Sequence, residues 1–258
     1  MSREIKSIKE IRNLNDITME TLKAPFIIRN FLSQEMSERI LSQHILSFKN
    51  SNKLLSASRK NGSETRFFDF AEYIIYMNRD NESDPWYASN LNDKEIIDGV
   101  MEHIDLPKTF DNWLDALPDE VKPYWLWVFL GPSASSTKLH IDVMMSSAWN
   151  LLYSGLKKWK FLSPSESIQQ NILGESYQPY FNSETFEIDV LQRPGDLVFT
   201  PSGWAHEVVN VKSTVSITGN FINESNYSLA KQYLEERQKI DWLKVMNKLE
   251  SINIGGDI

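Results

Sequence analysis

Eight short runs between residues 121 and 222 have the length and the apolar, β-branched and aromatic content of β-strands. They read YWLWVFL, TKLHIDV, SAWNLLY, KWKFLS, FEIDVLQ, DLVFT, AHEVVNV and TVSITGNFI. Turn-forming stretches such as GPSASS, RPGD and PSGW separate them. Eight strands of this kind are typical of a closed or nearly closed antiparallel β architecture, so this part of the chain predicts a mainly β fold.

The flanking residues have mostly helical patterns. APFIIRNFL predicts a short buried strand, but SQEMSERILSQHILSF, DFAEYIIYMNRD and DKEIIDGVMEHI predict helices, the last ending before Pro107. In the first of these helices, His44 falls on the apolar stripe. NYSLAKQYLEERQKIDWLKVMNKLE predicts an amphipathic C-terminal helix. We therefore expect an N-terminal mixed α/β extension (1–118), a β core (119–223) and a C-terminal helical segment (224–258).

The composition limits which side chains could hold a metal ion and which partners are expected. The 258 residues include no cysteine and four histidines, so a metal ion would have to be held by His and carboxylate side chains. A net charge of −8 without a Lys/Arg-rich block makes nucleic acid a disfavoured partner. No apolar run approaches the roughly 20 residues of a membrane span, and the polar start MSREIKSIKE predicts an intracellular, cytoplasmic protein.

The tripeptide HID occurs twice, and only the second copy has suitable geometry for a metal site. His103 and Asp105 end a predicted helix, where residues two apart point about 200° apart around the axis. His140 and Asp142 lie in a β-like run, where alternate side chains share a face. With His206, in PSGWAHEVVN, they make a set of two His and one carboxylate, which matches the facial arrangement of Fe(II) oxygenases and is also used by zinc hydrolases.

A lysine and a polar row add to this pattern. Alternation in LKKWKFL places Lys157 on the face of Trp159 and Phe161, with Lys158 and Lys160 on the other, and an inward lysine needs an anionic partner. In the last run Thr214, Ser216, Thr218 and Asn220 alternate with Val215, Ile217, Gly219 and Phe221. That polar row could be a solvated outer face or the lining of a cavity, and the sequence alone leaves both open.

Four stretches together resemble the JmjC-type, cupin-like Fe(II)/2-oxoglutarate oxygenases, and within that family a lysyl hydroxylase most closely. They are PYWLWVFLGPSASSTKLHIDVMMSSAWNLLYSGLKKWKFLSP, RPGDLVFTPSGWAHEVVNVKSTVSITGNF, EYIIYMNRDNESDPWYASN and LPKTFDNWLDAL. The likeness covers roughly residues 20 to 222. It implies a double-stranded β-helix of the jelly-roll type, in agreement with the eight runs.

The resemblance also implies roles for particular residues. His140, Asp142 and His206 would be the iron ligands, and Lys157, helped by Thr137, would bind the distal carboxylate of 2-oxoglutarate. Three polar residues, Asn150, Thr218 and Asn220, would line the pocket, and Tyr87 would lie near co-substrate and substrate.

The implied activity is hydroxylation of a C–H bond of an amino-acid side chain, with Fe(II), 2-oxoglutarate and O2, releasing succinate and CO2. A peptide or protein is the expected substrate, and N-demethylation would use the same chemistry. The alternatives are hydroxylation of a small molecule or of a modified tRNA base, and a cupin-like binding module without catalysis. Family members often dimerise through their C-terminal helices, so the resemblance allows a homodimer through that segment.

Overall fold

The computed structural model describes residues 6–59, 64–79, 82–164 and 188–252. Within these residues there are twelve strands: β1 (Lys6–Ser7), β2 (Lys9–Ile11), β3 (Phe26–Ile28), β4 (Leu54–Ser58), β5 (Thr65–Asp69), β6 (Ala88–Leu91), β7 (Leu126–Gly131), β8 (Ser136–His140), β9 (Ser147–Leu162), β10 (Ile188–Gln192), β11 (Leu197–Thr200) and β12 (Ala205–Phe221). The same residues form five α-helices: α1 (Gln34–Ile40), α2 (Phe70–Met77), α3 (Lys94–Met101), α4 (Tyr227–Glu236) and α5 (Ile240–Ser251).

Two long bent strands, β9 and β12, pair with each other and hold the sheet together. The first half of β9 pairs with β11, and the second half of β12 pairs with β7, on one side of the fold. Beyond the bends, the second half of β9 pairs with β10, and the first half of β12 pairs with β8. Each long strand therefore passes from one face of the fold to the other, which confirms the predicted double-stranded β-helix.

The eight predicted runs thus form six strands, because SAWNLLY and KWKFLS merge into β9 and AHEVVNV and TVSITGNFI merge into β12. Gly155 makes the bend in β9, with φ at +91° and with space so limited that a Cβ would lie 2.1 Å from the carbonyl oxygen of Ser213. In β12 the register shifts between Asn210 and Ser216. A glycine in β9 and a bulge in β12 therefore bend these two strands without ending them. The run FEIDVLQ begins outside the described residues and continues as β10.

The predicted N-terminal strand and helices are present, except that the first helix is irregular, and β1, β2, β4, β5 and β6 were not predicted. β3 is fully buried and pairs with β11, and α2 and α3 are capped by Asp69 and Asp93, whose carboxylates accept hydrogen bonds from backbone N–H groups of the first helical turn. The helix predicted through Phe48 is instead α1, followed by a π-helical turn at Leu41–Ile45 and a 3-10 turn at Leu46–Asn50. Its apolar periodicity is correct, since Ile40 and Ile45 are buried in the main core.

The apolar and polar rows of β12 face opposite sides. Val215, Ile217 and Phe221 belong to the main hydrophobic core, which also contains buried residues of α1, α2 and α3. Thr214, Ser216 and Asn220 are buried too, although they are polar. The polar row is therefore not a solvated outer face.

The C-terminal segment forms two helices, where one was predicted. The chain turns at Gln238, which has φ at +52°, a break for which the sequence carries no Gly or Pro signal. Tyr227, Leu234, Met246 and Leu249 form a second buried cluster with residues of the core. Those core residues are Leu114, Leu117, Trp125, Met144, Met145 and Ile222. Among the described residues, every helix is too short or too polar to cross a bilayer.

Leu234→Ala should destabilise the fold, because the side chain is only 1% exposed and its removal leaves a cavity between α4 and the core. A buried Leu→Ala change costs about 2–5 kcal/mol, which lowers the Tm of a domain of this size by about 5–15 °C. Leu229→Ala on the same helix is the matched control, since that side chain is 42% exposed. Equal melting temperatures for the two variants by circular dichroism would contradict this packing.

Candidate functional site

Two histidines meet across neighbouring strands at the centre of the site. His140 is the last residue of β8, and His206, near the start of β12, is its direct partner in the antiparallel ladder. Such directly opposed residues have their side chains on the same face of a sheet. The two ring centroids are 4.2 Å apart, so the pairing of strands far apart in sequence brings the imidazoles together.

Backbone carbonyls orient both rings. The Nδ1 of His140 lies 2.8 Å from the carbonyl oxygen of Lys138, and the Nδ1 of His206 lies 3.2 Å from that of Trp204. When Nδ1–H donates to these carbonyls, each Nε2 keeps its lone pair for another partner. Burial lowers the pKa of His206 to about 4, so this ring is neutral at pH 7, as a metal ligand must be.

Asp142 completes the cluster from just beyond β8. The sequence placed it within the strand, but β8 ends at His140 and Asp142 precedes a 3-10 turn at Val143–Met145. Its oxygens nevertheless lie 3.8 Å from Nε2 of His140 and 4.0 Å from Nε2 of His206. The potential ligand atoms of the three residues all lie within 4.8 Å of one another.

The donor set fits a divalent metal ion. Among the described residues, Oδ2 of Asp142 has no hydrogen-bond partner although it is buried, and a buried carboxylate oxygen without a partner is costly. Two imidazole nitrogens and one carboxylate are ligands that Fe(II) and Zn²⁺ both accept. A cation bound among them would compensate the buried negative charge.

The turn after Asp142 is strained and is held by the C-terminal helices. Met144 and Met145 both have φ at +56°, in the left-handed region, where a non-glycine residue costs about 1–2 kcal/mol. Both side chains are buried in the cluster that contains Tyr227 and Leu234 of α4. The backbone N–H of Met145 donates to the carbonyl oxygen of Asp142. Packing against α4 therefore helps to fix the position of the carboxylate.

A cavity of about 280 Å³ opens beside the three residues. Its walls are aromatic on several sides, and its polar lining includes four of the residues singled out in the sequence. The aromatic residues are Trp127, Phe129, Trp149 and Trp159, and the polar ones are Thr137, Asn150, Thr218 and Asn220. Gly219 lets Trp149 lie against β12, since a Cβ there would come within 2.5 Å of the indole.

Lys157 is buried beside this cavity, as the alternation predicted. It is 1% exposed, and its Nζ donates a 2.6 Å hydrogen bond to Oγ of Ser216 and lies 5.3 Å from the centre of the Phe129 ring. Across the described ranges no carboxylate forms an ion pair with it, and burial lowers its pKa to about 7. Lys158, by contrast, is half-buried and pairs with Asp189 at 2.8 Å.

Ser216 connects the lysine to the other polar groups. Its Oγ lies 3.3 Å from Nδ2 of Asn150, which also donates to Oγ1 of Thr218 at 2.7 Å. Through Ser216 and Asn150, Lys157 is thus connected by hydrogen bonds to the polar lining of the cavity.

Tyr87 lies in an adjoining cavity, outside the first one. That second cavity, also of about 280 Å³, shares Ser89, Thr137 and His140 with the first. The Tyr87 hydroxyl makes hydrogen bonds with Asn210 and Thr137, and burial raises the pKa of Tyr87 to about 12. Tyr87 therefore contacts Thr137, which lines both cavities.

The aromatic walls contributed by β7 were missed in the sequence. Trp127 and Phe129 alternate in YWLWVFL and are the cross-strand partners of Thr218 and Ser216. Their period of two was visible in the sequence, but their pairing with the polar row was not. The first HID copy is separate from the cluster, because His103 lies past the end of α3 and its ring contacts His44.

Comparison with known proteins supports the resemblance found in the sequence. The family model for the JmjC domain, described as a hydroxylase, matches residues 184–221. The bifunctional arginine demethylase and lysyl-hydroxylase psr-1 of Caenorhabditis elegans is 29% identical over 192 residues, which are 66% of this chain and 48% of the relative. The 2-oxoglutarate and iron-dependent oxygenase JMJD4 homolog of Drosophila melanogaster is 33% identical over 144 residues, 52% of this chain and 33% of the relative.

A third relative is the lysine-specific demethylase JMJ21 of Arabidopsis thaliana, 28% identical over 178 residues, which are 61% of this chain and 19% of the relative. The chain spans less than half the length of each of these three proteins. The resemblance to the JmjC-type, iron- and 2-oxoglutarate-dependent oxygenases is confirmed by these matches.

Proposed function

We propose that this protein is an Fe(II)- and 2-oxoglutarate-dependent oxygenase that hydroxylates a C–H bond of an amino-acid side chain in a peptide or protein. The observation that carries the proposal is a His–Asp–His cluster at a cavity beside which Lys157 is buried, with no carboxylate paired to this lysine among the described residues. Neither a zinc hydrolase nor a binding module without catalysis would require that lysine.

His140, Asp142 and His206 would hold the iron through two Nε2 atoms and a carboxylate oxygen. Bound there with 2-oxoglutarate and O2, the iron would supply the oxidation that converts the co-substrate into succinate and CO2 and hydroxylates the substrate. The backbone carbonyls of Lys138 and Trp204 hold the two imidazoles in the required tautomer.

Lys157 would bind the distal carboxylate of 2-oxoglutarate through its ammonium group, with the hydroxyl of Thr137 as a second donor. Ser216 would orient the ammonium, because its Oγ already accepts a hydrogen bond from it. Asn150, Thr218 and Asn220 would complete the polar lining, and Tyr87 would lie where co-substrate and substrate meet. The aromatic walls would exclude water from the reacting atoms.

Among the amino-acid side chains that the enzyme could hydroxylate, a basic one has the best support. The net charge of −8 favours a cationic partner, and two of the relatives are named for action on lysine or arginine. We also propose the division into residues 1–118, 119–223 and 224–258, a cytoplasmic location and a homodimer through the C-terminal helices. These last proposals come from the sequence and the resemblance.

The affinity for 2-oxoglutarate should fall as the pH rises above about 7. Burial lowers the pKa of Lys157 to about 7 in the free protein, and a bound carboxylate would raise it again. Binding then takes up one proton above that pH, and the affinity falls about tenfold per pH unit. Calorimetric titration of the manganese-loaded protein between about pH 7 and pH 9 measures this slope. The Lys158→Ala variant should have the same slope, and a flat profile for the wild type would contradict the role of Lys157.

Turnover tests the proposed function directly. Incubation with Fe(II), 2-oxoglutarate and libraries of lysine- or arginine-containing peptides should release succinate and add the mass of one oxygen atom to a peptide. Loss of a methylene unit from a methylated peptide would identify demethylation by the same site. Asp142→Ala is the control without a complete metal site. Peptide modification that proceeds without 2-oxoglutarate, or in Asp142→Ala, would overturn the proposal.

A further inference from the structure

His44 and His103 form a second pair of potential metal ligands, separate from the first cluster. Their Nε2 atoms are 3.0 Å apart and their ring centroids 4.7 Å apart, with an angle of 54° between the ring planes. His44 lies in the π-helical turn Leu41–Ile45, and His103 lies just past the end of α3. Both side chains are half-buried, so solvent can reach the pair.

The geometry of the pair departs from that of a simple hydrogen bond. A linear N–H···N bond of this length would hold the ring centroids about 5.3 Å apart, since each nitrogen lies about 1.15 Å from the centre of its ring. The observed separation is shorter, so at least one of the two rings is tilted away from the line that joins their nitrogens.

The same distances match two imidazoles bound side by side on one ion. With metal–nitrogen distances of about 2.1 Å and an angle of about 90°, the nitrogens lie about 3.0 Å apart and the ring centroids about 4.6 Å apart. We propose that His44 and His103 bind a divalent transition-metal ion of the octahedral or square-planar type, such as Ni²⁺ or Cu²⁺, with water completing the coordination.

The local structure leaves room for this arrangement. Gly99, on α3, lies under the ring of His44, and a Cβ there would come within 2.8 Å of Nδ1. The glycine therefore allows the ring to approach the helix with its Nε2 directed at His103. π-Helical turns in α-helices are found frequently at functional sites, and this turn separates α1 from the 3-10 turn that follows. A bound ion would join the turn to the end of α3.

Metal stoichiometry tests the proposal, with Ni²⁺ as the probe. Equilibrium dialysis at neutral pH followed by elemental analysis should find two ions per wild-type chain, because the His140, Asp142 and His206 cluster takes one. His103→Gln and His44→Gln should each bind one ion. A variant with His140→Ala and His206→Ala, which leaves only Asp142 at the first cluster, should also bind one, and adding His103→Gln to it should leave none.

A third variant tests the site without removing a ligand. Gly99→Ala favours the helical conformation of α3 but should displace the ring of His44, so it should also bind one ion. In the variant with His140→Ala and His206→Ala, Ni²⁺ should raise the Tm, and this rise should disappear when His103→Gln is added. If the wild type and His103→Gln bind the same number of ions, or if Ni²⁺ leaves the Tm of the His140→Ala and His206→Ala variant unchanged, the pair is only a hydrogen bond and the proposal is wrong.

Discussion

Lys157→Ala should weaken 2-oxoglutarate binding about ten- to several-hundred-fold. In the proposed complex the ammonium and the distal carboxylate form a charge-assisted hydrogen bond in a poorly solvated pocket, worth roughly 1.5–3 kcal/mol and more if the carboxylate is left buried and unpaired. Each 1.4 kcal/mol corresponds to a factor of about ten in affinity. The measurement is titration of 2-oxoglutarate into the manganese-substituted protein, together with succinate formation as a function of co-substrate.

The neighbouring lysine is the control for this variant. Lys158→Ala removes the same charge one residue away, but that side chain points to the other face and pairs with Asp189. It should leave the affinity almost unchanged. Equal effects of the two substitutions would contradict the assignment of Lys157, and a wild-type protein that fails to bind 2-oxoglutarate at millimolar concentration would refute the oxygenase proposal itself.

His140→Ala or Asp142→Ala should abolish the binding of Fe(II) at the proposed iron site. Each change removes one of the three proposed ligands, and Asp142→Ala also removes the negative charge that would attract the cation. The measurement is the weak visible charge-transfer band of the anaerobic complex of protein, Fe(II) and 2-oxoglutarate, which should disappear in both variants.

The first HID copy provides the control. His103→Ala should keep the band, since His103 lies past α3 and contacts His44 instead of the cluster. Circular dichroism should show that all three variants remain folded. If the band were lost in His103→Ala and kept in His140→Ala, the assignment of the iron site would be wrong.

Short-range patterns predicted most of the fold. Alternating apolar residues and Gly/Pro turns located the strands of the core, and the caps at Asp69 and Asp93 agree with the predicted helices. The merging of runs into β9 and β12 was not predictable, because it depends on how Gly155 and a bulge bend a chain already paired on both sides. The sequence does not distinguish a bend from a strand end.

The sequence also predicted part of the candidate site, with some residues placed correctly and others not. Alternation placed Lys157 inside correctly, but Lys160, which it put on the opposite face, is buried as well, at 6% exposed. The direct pairing of His140 with His206 is a matter of strand register between distant segments, which no local pattern encodes. The role of 2-oxoglutarate came from the family resemblance, since spacing alone also allowed a zinc enzyme.

The central position of β12 has a consequence for the order of folding. This strand pairs with β7, β8 and β9. It carries His206 near its start and, towards its end, Ser216, the hydrogen-bond partner of Lys157. Pairings between distant segments form slowly, because the entropy of closing a long loop opposes them. During synthesis, neither half of the core can be completed until residues 205–221 have emerged from the ribosome. We therefore expect the proposed iron site to form only after residues 205–221 have been synthesised, so that metal loading follows folding of the core and shorter nascent chains do not capture the ion at this site.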